Sequence, residues 1–170
     1  MTALFRVIFL WAILSLPFCA QASDGKYTRE TLRGLNSFSV LVEELGQTAL
    51  DLGLSVAQLR TATELRLRLA GIAIVSDEES ADIPGAPYLY VNLLAIGKVP
   101  GTISYTILLS LEQAATMERN PKIRAVAAVT WSTASIATVG SAKAAEEVRN
   151  DLEELIDQFI NAYLSVNPKH

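Results

Sequence analysis

The chain has 170 residues, 51% of them hydrophobic and 19% charged, with a formal net charge of −4. That composition belongs to a globular domain with a sizeable core and excludes a disordered polyelectrolyte. The mildly acidic balance supplies no basic field for nucleic acid, which is excluded as a partner.

The first residues are a processing segment. "MTALFR" carries one positive charge, "VIFLWAILSLPF" is a twelve-residue apolar run, and "CAQA" places small residues at Ala20 and Ala22. These are the n-region, h-region and cleavage site of a secretory signal peptide over residues 1–22, cut near Ala22. The run falls short of the roughly 20 apolar residues that span a bilayer, so no stable membrane insertion is expected after cleavage. The mature product is expected in the periplasm or secreted. Phe18 stands where a lipidated cysteine wants a small residue, which argues against lipidation at Cys19. If Cys19 leaves with the signal, the mature chain has no cysteine for a disulfide, a thiol nucleophile or a metal site.

Residues 23–36 read as a polar N-terminal tail leading into a short helical turn, and residues 37–166 as a single domain. In "FSVLVEEL", Phe38, Val40 and Val42 share one face at period two, the mark of a strand. The next stretch contains "ELRLRLAGIAIV", where leucine alternates with arginine as it would in a strand. Helix signals outweigh that alternation. Ser55 and Gln58 form an S-x-x-Q capping pattern with Leu54 and Leu59 as a hydrophobic staple. No Gly or Pro interrupts residues 57–70, and Gly71 suits the left-handed position that ends a helix. The expected inward stripe is Leu59, Ala62, Leu65 and Leu69, and "IAIV" begins a second strand.

"SDEESADIPGAP" reads as an exposed acidic loop. "YLYVNLLAI" is a strand with apolar residues on both faces, and "GKVPG" a hairpin corner. In "TISYTILLSLEQ", Ile103, Tyr105, Ile107, Leu109 and Leu111 alternate with outward Thr102, Ser104, Thr106 and Ser110. "AATMERNPK" is expected to be a loop, and residues 123–139 a long strand rich in small residues. The last element is the clearest. After a Ser141 N-cap, Ala145, Val148, Leu152, Leu155, Ile156, Phe159, Ile160, Tyr163 and Leu164 recur at three and four residues. This predicts about 23 residues of helix, about 35 Å long.

The predicted fold is α+β: a mainly antiparallel mixed sheet of about five strands with two helices packed on one face. The first two strands, joined by a helical crossover, should be parallel.

Catalytic chemistry finds few candidates. The one histidine, His170, is the terminal residue, and no phosphate loop, G-x-S-x-G or H-E-x-x-H motif occurs. Serine–histidine and cysteine–histidine mechanisms lack their parts. Asp77, Glu78, Glu79 and Asp82 do not have EF-hand spacing and read as a solvated loop. The acids from Glu146 to Asp157 belong to the outer flanks of the last helix. Arg66 and Arg68 read as stems laid over the core edge with wet guanidinium groups, and Trp131 as a core residue. No cofactor, no metal site and no enzymatic activity are expected.

One constellation points to binding. With Leu89, Val91, Leu93, Ile103, Tyr105 and Ile107 inward, the opposite sheet face carries Tyr88, Tyr90, Asn92, Ser104, Thr106, Thr130 and Ser132. Tyrosine beside hydroxyls and an amide composes an adaptable contact surface. The same composition also fits a solvated sheet face, where threonine is common.

The succession "FSVLVEEL", "ELRLRLAGIAIV", "PYLYVNLLAI", "ISYTILLSLEQ" and the closing helix resembles the TolB N-terminal-like superfamily, which includes periplasmic TolB domains and the LpoB- and CsgG-type envelope proteins. The likeness covers residues 36 to 165 and is one of order and spacing. Phe18 before Cys19 departs from its lipidated members. The resemblance implies non-catalytic protein binding in the cell envelope, and no family site residue maps onto this chain.

Three functions follow from these readings. The first is a binding or accessory module that engages an envelope protein or self-associates. The alternative is a carrier holding a small apolar ligand between the sheet and the last helix, beneath Phe159 and Trp131. The third is a hydrolase dependent on two converging carboxylates.

Overall fold

The alternating Leu–Arg stretch is helical. In the computed structural model, which describes residues 24–168, the Ser55 hydroxyl oxygen accepts a hydrogen bond from the Gln58 N–H at 3.2 Å and starts a helix at Val56–Leu69. Leu54 and Leu59 are both buried beside that cap, as a staple requires. At the other end Gly71 has φ of 76°. Its N–H donates to Arg68 O at 2.8 Å and the Ile72 N–H to Leu67 O at 3.0 Å. This is a Schellman end, and Leu67 and Ile72 supply its apolar contact. The signal-peptide segment, Cys19 and His170 lie outside the described residues.

In chain order the elements are α1 (Lys26–Glu30), β1 (Ser37–Val42), α2 (Gln47–Asp51), α3 (Val56–Leu69), β2 (Ala73–Ile74), α4 (Asp77–Ala81), β3 (Tyr88–Ile96), β4 (Thr102–Met117), β5 (Asn120–Gly140) and α5 (Ala144–Val166). One sheet has the order β2-β1-β3-β4-β5. β1 runs parallel to both neighbours, with Ser37 opposite Ala73 and Val40 opposite Leu89, while β3, β4 and β5 are antiparallel. The α+β class and the parallel crossover stand as expected, with five helices among the described residues rather than two.

Several expectations are corrected. The second strand shrinks to Ala73–Ile74. The acidic loop contains α4, whose Ser76 and Glu79 make a complete capping box at 3.2 and 2.9 Å. Its carboxylates sit in the first turn, where the helix dipole favours negative charge. The loop expected at residues 114–122 is mostly strand, because β4 continues to Met117 and β5 begins at Asn120. Ser141 opens a 3₁₀ turn, Ser141–Lys143, ahead of α5 instead of capping it directly.

The buried stripe of α3 is Leu59, Thr63 and Leu67; of the predicted stripe only Leu59 is buried, while Ala62 is exposed and Leu65 and Leu69 are 56% and 79% exposed. The hydroxyl of Thr63 donates to Leu59 O at 2.8 Å. Satisfied within its own helix, it is tolerated at the centre of the packed face. Arg66 helps set the helix rotation by bonding Asp157 at 2.8 and 2.6 Å and Glu153 at 2.9 Å on α5.

The core lies between the sheet and α3 and α5. Phe159 of α5 meets Trp131 of β5 edge to face at 5.1 Å and Phe38 of β1 at 5.5 Å, and all three are fully buried. The Trp131 indole N–H donates to Asp24 at 2.9 Å, and Arg29 grips the same carboxylate at 2.8 and 2.5 Å. Burial pushes the Asp24 carboxyl up, but the bonds from Arg29 and Trp131 hold it below the usual aspartate range. The segment read as a tail therefore satisfies the one polar atom of Trp131, and it contributes Leu32 to the core.

Candidate open-face binding surface

Strand alternation divides the sheet into two unlike faces. Leu89, Val91, Leu93, Ile103, Tyr105, Ile107, Leu109 and Leu111 all point under the helices and are buried. The register then places Leu41, Tyr90, Ser110 and Ser132 in one transverse row of the opposite face. Leu94, Thr106 and Ile136 form another, and Ile96, Ser104 and Thr138 a third. Six of the seven predicted residues (Tyr88, Tyr90, Asn92, Ser104, Thr106 and Ser132) thus share the face turned away from the core.

Thr130 does not continue their rows. Leu111 pairs with Trp131 but Glu112 with Val129, so Thr130 is the extra residue of a bulge. Its hydroxyl accepts from Gln113 Nε2 at 3.0 Å, and its carbonyl accepts from the Thr31 hydroxyl at 3.2 Å. An inserted residue breaks the two-residue period, and the N-terminal segment takes up Thr130.

The polar members are held by cross-strand bonds. The Tyr88 hydroxyl donates to Glu112 at 2.6 Å, the residue directly opposite it. Burial, reinforced by the bond to Glu112, pushes that hydroxyl up to about 12. Tyr90 donates a short bond to Glu43 and receives Asn92 Nδ2 at 3.3 Å. The Glu43 bond raises Tyr90 first, and burial adds to it. Ser104 and Thr138, also an opposed pair, share a bond of 2.8 Å.

Aliphatic side chains stand among these polar groups, where composition alone did not mark them. Ile136 is 72% exposed and Leu94 65%, and Ile96, Leu108 and Leu41 are also exposed. Leu94, Ile96, Thr106, Ile136 and Thr138 line a shallow depression of about 270 Å³. The signal was present where alternation fails, at Leu93-Leu94 and Leu108-Leu109, since two successive leucines in a strand cannot both face inward.

A second groove, about 180 Å³, lies between α3 and α5 and is lined by Leu59, Ala62, Leu152 and Ile156 with Gln58, Arg149 and Glu153. Neither depression lies beneath Phe159 and Trp131, whose rings meet edge to face at 5.1 Å. Among the described residues no three of His, Cys, Asp and Glu converge as metal ligands. No helix among them is long and apolar enough to cross a membrane.

The fold thus defines an α+β protein whose sheet packs one face under helices and, among the described residues, leaves Leu94, Ile96 and Ile136 exposed on the other. No family model and no curated protein matches the sequence. Among solved structures the chain is similar to a minor lipoprotein from Acinetobacter baumannii, at 13% identity and a TM-score of 0.30, over 78% of this chain and 93% of that one. A likeness that weak carries no argument about function. The TolB-like resemblance rests on the order and spacing of the sequence alone.

Proposed function

We propose that this chain is an exported, non-catalytic envelope protein that binds another protein through the open face of its sheet. The observation that carries the reading is the row Leu94–Thr106–Ile136, set beside Tyr88, Tyr90 and Asn92 on the face turned away from the core. Aliphatic side chains left in water among bonded tyrosines and hydroxyls are the ingredients of a contact surface: apolar area to bury and polar groups to set register. The signal-peptide pattern supports the envelope, and the missing nucleophile–base pair supports binding over turnover.

The test is site-specific photo-crosslinking in the native host, from Leu94 and Thr106 on the open face and from Glu146 on α5 as control. Discrete adducts are expected from the first two positions alone, lost in an Ile136→Asp background. No adduct from either open-face position would overturn the reading. So would turnover of a substrate by purified protein that disappears when one or two carboxylates are neutralised.

A further inference from the structure

Strand β5 closes one side of the sheet, and its two halves treat their free edge differently. The outer half, from Asn120 to Thr130, has three register shifts against β4, has Pro121 as its second residue and carries Lys122 and Arg124. Bulges, proline and charge are the devices that stop a strand edge from pairing with foreign chains. From Trp131 to Gly140 the register is unbroken and the sequence holds no charge and no proline. The Ser141 N–H donates to Gly101 O at 2.9 Å. Antiparallel alternation from that bond turns the N–H and C=O groups of Ser132, Ala134, Ile136 and Thr138 away from β4. Among the described residues no segment pairs with them.

Helix α5 supplies a charge beside this edge. Glu147, Asp151, Glu154 and Gln158 fall at spacings of four, three and four along one helix face. That face overhangs β5, because Asp151 accepts from Ser135 at 2.6 Å and Gln158 from Thr133 at 2.6 Å. Glu147 lies close enough for its field to help raise the Tyr105 hydroxyl, after burial and the bond to Asp151. Lys143 stands beyond Gly140, in the 3₁₀ turn that follows the strand.

We infer that the edge of β5 from Ser132 to Thr138 captures an extended basic segment of a partner protein as a sixth strand. The inference rests on the protein-binding reading above and names the partner's chemistry. Main-chain bonds to the four outward residues hold the strand. Its alternate side chains fall on the two faces of the sheet. Lysines or arginines on the helical side meet Glu147, Asp151 and Glu154, and apolar residues on the other side extend the patch around Ile136. A second copy of this chain fits poorly, because two-fold pairing of β5 would bring the two acidic rows together.

The probe is an eight-residue peptide of alternating Val and Lys, acetylated and amidated, titrated against the exported chain. Binding is expected to weaken about tenfold or more for the Val–Glu peptide, and about tenfold in an Ala134→Pro variant, which loses one outward N–H. Glu147→Gln with Glu154→Gln should weaken it severalfold, and added salt should do the same. Two N-methylated peptides, one blocked at every Val and one at every Lys, test the geometry without altering the protein. Only one should lose binding, since only one edge of the added strand faces β5. Equal effects of the two, equal binding of the Val–Glu peptide, or a dimer abolished by Ala134→Pro would overturn the inference. If the Val–Lys peptide fails while the Leu94 and Thr106 adducts persist, the edge proposal falls and protein binding stands. If both fail, both fall.

Discussion

On the covered face of the sheet, Leu89, Val91, Leu109 and Leu111 have no exposure at all; on the open face of the same sheet Leu94 is 65% exposed and Ile136 72%. The backbone, the register and much of the side-chain chemistry are shared, so the difference comes from what lies above each face. Beneath α3 and α5, each large apolar side chain removed from water is worth about 1.5–3 kcal/mol and touches several others. On the open face a leucine has only its sheet neighbours and solvent. The covered face holds the fold together, and the open face is free to carry contacts with another molecule.

That contrast can be broken most forcefully at the aromatic stack. Trp131→Ala should cost about 3–5 kcal/mol, measured as a fall in the urea midpoint, because it leaves a cavity beside Phe159 and removes one of the hydrogen bonds that hold Asp24. The helical layer repeats the comparison within α3. Leu67→Ala, at a fully buried position, should cost about 2–5 kcal/mol, and Leu69→Ala less than about 0.5 kcal/mol. Equal effects would show that the helix packs on the other stripe.

A smaller effect belongs to the polar bonds of the open face. The Tyr88 hydroxyl titrates about 12 in the folded chain against an ordinary value of 10.0. Its stabilising contribution is therefore fully present below pH 10 and is lost as pH rises toward 12. Tyr88→Phe should cost about 1 kcal/mol at neutral pH and flatten the fall in the urea midpoint over that alkaline range. The smallest effect is expected from Leu94→Ser with Ile136→Ser, within about 0.5 kcal/mol of the parent. Loss of the photo-crosslinked adducts in that variant, with the urea midpoint unchanged, would separate contact from stability.

Much of the fold was legible because periodic patterns are local. Ser55 and Gly71 bounded α3, and the spacing of α5 named Val148, Leu152, Leu155, Ile156, Phe159, Ile160 and Tyr163 among its buried residues while missing Ala144, Ala162 and Val166. The inward faces of β3 and β4 followed from alternation. What escaped has physical reasons. Thr63 hides its polarity in a bond to Leu59 O, so a hydrophobicity pattern passes it over and selects Leu65 and Leu69 instead. Ser76 and Glu79 carried a capping box that the acidic composition masked. The candidate surface was half visible: its tyrosines and hydroxyls read as polar outward positions, but Leu94 and Leu108 were absorbed into apolar runs. Thr130 was misplaced because a bulge cannot be counted from one strand alone.

By itself the sequence determined the class of fold, the parallel crossover and the two long helices, since all of these depend on neighbours in the chain. Only the tertiary structure decided which stripe of α3 packs, where β5 bulges, that Asp24 and Leu32 join the core, and that the acidic flank of α5 lies over β5, whose outer edge no strand pairs among the described residues. Those features arise between segments far apart in the chain, where packing and pairing outweigh local preference.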